Sequence, residues 1–270
     1  SLEVDSNYIA QNFVRIARAT FQYCLLKGFA NSSRSCLNII LSFERRLWWH
    51  LSHVLLQFPG LLKEETLRYV THVDIFQLRE MSFDELYAQS KTKPNAKALF
   101  KSINSFPLPD ENVTIQPITG TVIRVNVEIW ADFQWNVELL GQMQNYWISV
   151  FDYAGISNED YSLHNEFITL SPAQTTTPLN ISFTIPIKEP IPNQIYIEIF
   201  SDSFFGCEIS IPVSYQHLIL PQMKPYHTDL LRLQPLSGHA LHNPAIESIY
   251  SFKYFNPIQT QLFHCLYHGQ

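Results

Sequence analysis

Residues 115–136 read IQPITGTVIRVNVEIWADFQWN, and the centre of this run decides the fold of the chain's second half. Val125, Val127 and Ile129 alternate with Arg124, Asn126 and Glu128. Successive side chains of a strand point to opposite faces, so the alternation marks a strand with one buried face. Similar runs follow in NYWISVFDY (145–153), NISFTIPI (180–187), QIYIEIFSD (194–202) and CEISIPVS (207–214), separated by loops rich in Pro, Asn, Ser and Thr. Seven or so short strands in about a hundred residues predict an antiparallel sandwich of immunoglobulin or fibronectin type. The Cys-Trp-Cys spacing of an antibody-like domain is missing.

Working outward toward the N-terminus, the period changes from two to that of a helix. Between Tyr8 and Lys27, Ile9, Phe13, Ile16, Thr20 and Tyr23 recur at helical spacing with Ala10, Val14, Ala17, Phe21 and Cys24 beside them. Such a helix is apolar around most of its circumference and is expected inside a bundle. Its remaining face carries Tyr8, Gln11, Asn12, Arg15, Arg18 and Gln22, and Gly28 is a stop signal. A second helix is expected from about Ser33 to Gln57, through FERRLWWHLSH (43–53), until Pro59-Gly60 punctuates the chain. LKEETLRYV, SFDELYAQS and AKALFKSINSF then predict short helices of a small helix-loop-helix unit. In the second of these, Ser82 and Glu85 have the spacing of a capping box. Beyond Pro221, QMKPYHTDLLRLQPLSGHALHNP reads as an extended connector, and helix returns from Pro244 onward.

Composition narrows the function. A net charge of −6 on 270 residues argues against a whole-surface basic footprint, so any RNA contact should be local to one helix or groove. No apolar stretch approaches the roughly 20 residues needed to cross a bilayer, and SLEVDSNYIA lacks the pattern of a secretory signal. Cys24, Cys36, Cys207 and Cys265 are scattered, which fits a reducing compartment, cytoplasmic or nuclear. With only eight glycines there is no phosphate loop ending in Gly-Lys-Ser/Thr. No nucleophile elbow, zinc-protease helix or Cys-x-x-Cys pair occurs either, so no catalytic residue, bound cofactor or metal is expected in this chain.

His264 and His268 lie four apart beside Cys265. They have no carboxylate or second cysteine pair nearby, and ordinary surface histidines are the better reading. His217, in HLILP, reads as a strand-end hydrogen-bonding residue. Arg15 and Arg18, three apart beside Gln11 and Asn12, can contact phosphates and stack on bases of a single strand. The bland alternative is a solvated or interdomain face on which they pair with carboxylates. Arg45 and Arg46 are weaker candidates of the same kind. Trp48 and Trp49 read as core and interface residues. In FNPIQ (255–259), an amide following a proline-started turn can both donate to and accept from an adenine edge.

The order of these segments resembles the Sec63 unit of the tandem-cassette Ski2-like helicases. It is carried by NYIAQNFVRIARATFQY, the tryptophan pair after ERR, IQPITGTVIRVNVEIWADFQWN, HLILP, DLLRLQPL and FNPIQTQLFHCLYH, and it covers nearly the whole chain. The resemblance implies a multi-domain chain, α then β. Residues 1–58 would end a helical bundle that includes a ratchet helix; 59–109 would be a helix-loop-helix domain; 110–221 a fibronectin-like sandwich. Residues 222–243 would be an extended linker and 244–270 the helical start of a following helicase cassette. It further implies RNA contact by Gln11, Asn12, Arg15 and Arg18, and nucleotide contact by Phe255 and Gln259. ATP and Mg would belong to the parent protein, and the partners would be RNA, the flanking cassettes and ribosome or helicase-complex subunits. WADFQWN, YSFKYFNPIQTQLFHCLYH and PYHTDLL are most similar to the ribosome quality-control branch, and the spliceosomal branch shares most of the pattern. A protein-interaction scaffold without RNA is the competing reading. Two departures stand out. KTKPNAKAL (91–99) lacks a glycine common in the helix-loop-helix hairpin. SDSFFGCE (201–208) keeps Asp202 but lacks the arginine common after it, so contacts of that side chain are expected to be absent.

Overall fold

The computed structural model describes every residue except 1, 59–61, 63, 152–160, 188–190, 217, 222–229, 268 and 270, and the side chains of all these but 2, 3, 10, 11, 64 and 65. The chain is mixed α and β and divides into two compact units, Ser1–Gln222 and Met223–Gln270.

In the first unit, α1 (Leu2–Lys27) and α2 (Ala30–Arg45) form a hairpin around Gly28, whose φ of +74° is the left-handed geometry that glycine takes without strain. Short helices follow: α3 (Glu64–Leu67), α4 (Ile75–Glu80), α5 (Phe83–Ser90) and α6 (Lys93–Asn104). The expected capping box forms at α5: Ser82 Oγ accepts from the Glu85 N–H at 3.4 Å, and the Glu85 carboxylate accepts from the Ser82 N–H at 2.7 Å. These bonds favour the ionised acid and draw the Glu85 carboxyl below its ordinary range.

The β half contains β1 (Asp110–Thr119), β2 (Val122–Trp130), the short α7 (Val137–Leu140), β3 (Gln144–Phe151), β4 (Ser162–Leu170), β5 (Leu179–Pro186), β6 (Gln194–Ser201) and β7 (Glu208–Ser214). They pair antiparallel in two sheets, β1-β2-β5 and β4-β3-β6-β7. The alternation in β2 works as the sequence demands: Ile123, Val125, Val127 and Ile129 are fully buried. One core joins them to Tyr146, Ile148 and Val150 of β3 and to Ile195, Ile197 and Ile199 of β6. Each such side chain contributes about 1.5–3 kcal/mol of burial. Leu78, Leu86, Leu99 and Ile103 of the small helices belong to this same core. The second unit holds α8 (Pro244–Glu247) and α9 (Pro257–Tyr267) around Leu241, Phe255 and Phe263.

Two expectations need correction. The helix predicted from Ser33 to Gln57 ends at Arg45, because Arg46 enters the left-handed region at φ 55° and its N–H closes back on the last turn. The chain then loops and makes a single 3-10 turn at Val54–Gln57, capped by the His53 ring accepting from the Leu55 N–H. No glycine or proline announces this stop, and an αL residue with a Cβ costs about 1–2 kcal/mol. Secondly, α1 is not enclosed on all sides within this unit. Phe21 and Cys24 are buried against α2 and the sheet, while Val4, Ile9, Ile16, Tyr23 and Leu26 are exposed. His217 and His268 lie outside the described residues.

Candidate nucleic-acid interface

What α1 can offer a ligand depends on how it is mounted. Its inner side rests on a small core of Phe21, Leu37, Ile40, Leu41, Phe200 and Phe205, with Phe21 edge-on to Trp147 at 5.5 Å. Its C-terminal end is stitched to β4: the Ser162 N–H donates to the Gly28 carbonyl at 2.8 Å, and Asn165 Nδ2 donates to the Leu25 carbonyl at 3.2 Å.

The turn Asp202–Cys207 after β6 acts as the hub between the helical hairpin and the sheet. Arg18 donates to the Asp202 carboxylate at 2.7 Å and to Glu44 at 3.1 Å. The Trp147 indole N–H adds a bond to Asp202 at 3.0 Å. Arg45 donates to the Ser203 carbonyl through Nε at 2.9 Å and Nη2 at 2.6 Å, and its guanidinium lies 3.9 Å from the centre of the Phe204 ring. Burial there pulls the Arg45 pKa down from its ordinary value. The Gln57 side chain completes the clasp. It donates to the Phe205 carbonyl at 2.8 Å and accepts from the Phe205 N–H at 2.9 Å, both buried.

The predicted RNA-contacting residues therefore divide. Arg18 is committed to two carboxylates, the situation foreseen for a structural arginine. Arg15 is exposed, and its recorded bond is to Asn12 Oδ1 at 3.2 Å; Asn12 in turn donates to the Tyr8 carbonyl at 2.9 Å. Gln11 sits on α1, with its side chain outside the described residues. Asn12 and Arg15 thus form one polar ledge on the outer side of α1, flanked by the exposed Tyr8, Ile9 and Ile16. Asp202, retained in SDSFFGCE, has an arginine partner from elsewhere in the chain. Arg18 supplies it from α1. That hub was invisible in the sequence because Arg18, Arg45 and Gln57, which clasp the turn from the helical side, lie 184, 158 and 148 residues from their partners in it.

In the second unit, Gln259 and Asn256 form a reciprocal cap at the start of α9. Gln259 Oε1 accepts from the Asn256 N–H at 3.0 Å, and Asn256 Oδ1 accepts from the Gln259 N–H at 2.8 Å. The Asn-x-x-Gln spacing held this signal, in the same form as at Ser82 and Glu85. Phe255 is buried, packed on Phe252 at 5.3 Å and Phe263 at 5.4 Å. For an adenine the fit is partial. Gln259 keeps its amide N–H groups and one oxygen lone pair to offer, whereas Phe255 supports the turn from the core and presents no open ring face. Among the described residues no cluster of three or more His, Cys, Asp or Glu could hold a metal ion, and no helix is long and apolar enough to cross a membrane.

The Sec63 Brl domain family model matches residues 1–214, and the chain belongs to the Sec63 family. The matched region is a Sec63 domain and not an ATPase cassette. The RQC trigger complex helicase SLH1 of Saccharomyces cerevisiae is 38% identical over 269 residues, covering 99% of this chain and 13% of that protein. Activating signal cointegrator 1 complex subunit 3 of Gallus gallus is 38% identical over 275 residues, with 99% and 12% covered. The U5 small nuclear ribonucleoprotein 200 kDa helicase of Homo sapiens is 34% identical over 273 residues, with 100% and 12% covered. The chain thus spans 12–13% of the length of these relatives. A beta-glucosidase from Kluyveromyces marxianus covers 40% of this chain and 14% of its own at 8% identity and a TM-score of 0.25, a likeness too slight to bear on the fold.

Proposed function

We propose that this chain is the non-catalytic Sec63 unit of an ATP-dependent RNA helicase, guiding single-stranded RNA along α1 and bracing two helicase cassettes of its parent protein. The observation that carries the reading is the exposed Arg15–Asn12 ledge on a helix whose other arginine, Arg18, anchors it to the sheet hub. A guanidinium free of carboxylates can grip a phosphate, and a helix bolted at Arg18 and Gly28 holds that grip still while motor domains move. On this view Gln11, Asn12 and Arg15 touch RNA, and Arg18 positions the helix.

The same proposal carries the finer architecture. The strand orders β1-β2-β5 and β4-β3-β6-β7 support a fibronectin-like sandwich at 110–221, and α1 is the ratchet helix within a bundle ending near residue 58. Residues 59–109 are the helix-loop-helix domain, 222–243 a linker, and 244–270 open the next cassette, where Gln259 would meet the adenine of ATP. ATP and Mg belong to the parent protein. The relatives' names support a cytoplasmic or nuclear setting, with ribosome quality control favoured over splicing and complex subunits as further partners.

A second reading, a protein-docking scaffold, draws on the exposed Val4, Ile9, Ile16 and Leu26 of α1. Arg15→Ala in the full-length protein separates the two. Slower unwinding with ATP binding intact supports the strand-guiding reading; an unchanged unwinding rate sinks it.

A further inference from the structure

The exit of α2 carries a feature that the ledge on α1 does not use. The two helices run antiparallel, with Phe13 against Phe43 at 4.3 Å and Arg18 reaching Glu44 at 3.1 Å. The end of α2 therefore lies alongside the part of α1 that holds Asn12 and Arg15. There Arg46 turns the chain through αL into a built loop. The Trp49 N–H donates to Ser42 Oγ at 3.2 Å, and the Leu51 and Ser52 N–H groups both donate to the Trp48 carbonyl at 3.0 Å.

This loop holds Trp48 and Trp49 outward, 43% and 42% exposed. The His50 ring stands edge-on to both, at 5.7 and 5.2 Å, and its Nε2 accepts the Trp48 indole N–H at 3.2 Å. Three rings are thus fixed in one cluster at the surface. The charges around them divide as on α1. Arg18 and Arg45 are spent on the hub, whereas Arg15 and Arg46 are exposed and make no ion pair with the described residues.

We propose that Trp48, Trp49 and Arg46 form a base-stacking platform for single-stranded RNA, continuing the path past Arg15; this rests on the reading of α1 as the strand-guiding helix. Exposed indole faces beside unpaired guanidinium groups are satisfied together by an anionic polymer of flat rings, which stacks on the first and neutralises the second. An apolar protein surface would cover the indoles but leave two guanidinium groups to be desolvated without a counter-charge. Because every base has a π face, the platform would be tolerant of sequence.

The test is binding of a labelled oligouridylate to this chain across a salt series, with thermal melts as fold controls. Trp48→Ala/Trp49→Ala should bind about tenfold more weakly or worse with an unchanged salt slope, and Trp48→Phe/Trp49→Phe should recover most of the loss. Arg46→Ala should flatten the slope. In the unsubstituted chain, 4-thiouridine RNA should photocrosslink to Trp48 or Trp49, a readout that survives if the alanine pair misfolds. Normal binding by the alanine pair while Arg15→Ala weakens overturns the platform and leaves the α1 path standing. Loss of binding in every form, wild type included, overturns both. An alanine pair that leaves RNA binding untouched but dissolves a dimer shows a self-contact, and crosslinks confined to other residues likewise overturn the proposal.

Discussion

Arg18 Nη1 lies 2.7 Å from Asp202 Oδ1, a bond that joins the first helix of the chain to the turn after β6 across 184 positions of sequence. It is partly buried, and Asp202 also receives the Trp147 indole N–H, so the carboxylate ties three elements together. Arg18→Ala leaves that carboxylate with an unmet charge and is expected to cost about 1.5–3 kcal/mol in urea unfolding. A double-mutant cycle with Asp202→Asn should show coupling of about 1 kcal/mol or more, whereas additive losses would mean that the pair is incidental.

Gly206 has φ +69°, and a Cβ placed on it would collide with Val54 Cγ1. Gly206→Ala therefore meets both backbone strain and a clash with the 3-10 turn that presents Gln57. A loss of about 2 kcal/mol or more is expected, with Val54→Ala in the same chain restoring the part due to the clash. Equal stability of the single and double variants would assign the whole cost to the backbone.

The Glu111 carboxyl on β1 is raised from an ordinary 4.5 to about 7, first by burial and then by the neighbouring Asp110 charge. The folded chain therefore holds a proton there that the unfolded chain has released. That contribution to stability is complete below about pH 4.5 and is lost as the pH rises through about 7. Glu111→Gln should accordingly stabilise the chain relative to wild type at pH 8, by about 1 kcal/mol after solvent screening at this half-buried site, and have little effect near pH 4. Denaturation midpoints at the two pH values decide it.

Of the four cysteines, Cys265 is exposed, Cys36 half-buried, and Cys24 and Cys207 buried. Burial drives the Cys207 thiol far above its usual range and raises Cys36, which also sits against Cys24. Thiol labelling of the native chain should modify Cys265 first and Cys36 slowly, with Cys24 and Cys207 reacting only on unfolding. Fast modification of Cys207 would show that the core around Tyr146 opens in the native state.

The sequence was most informative where one face of an element meets one core. The alternation of Val125, Val127 and Ile129 and the Ser82–Glu85 cap both appear in the structure as read. It was least informative where a distant residue decides. Nothing near Arg46 signals its left-handed turn, and the Ile75–Glu80 helix, with Asp74 as its cap, is too short for its period to stand out. Arg15 and Arg18 look alike along the helix, yet one is exposed and the other bound, because Asp202 and Glu44 reach only one of them.

The most direct measurement of the central claim is the affinity of this chain for single-stranded RNA as salt is raised, beside Arg15→Ala. If Arg15 grips a phosphate, wild type should weaken steeply with salt, and the variant should bind less tightly with a slope reduced by about 0.7. Identical affinities and slopes for the two would contradict the account and move the chain's work from strand guiding to protein docking.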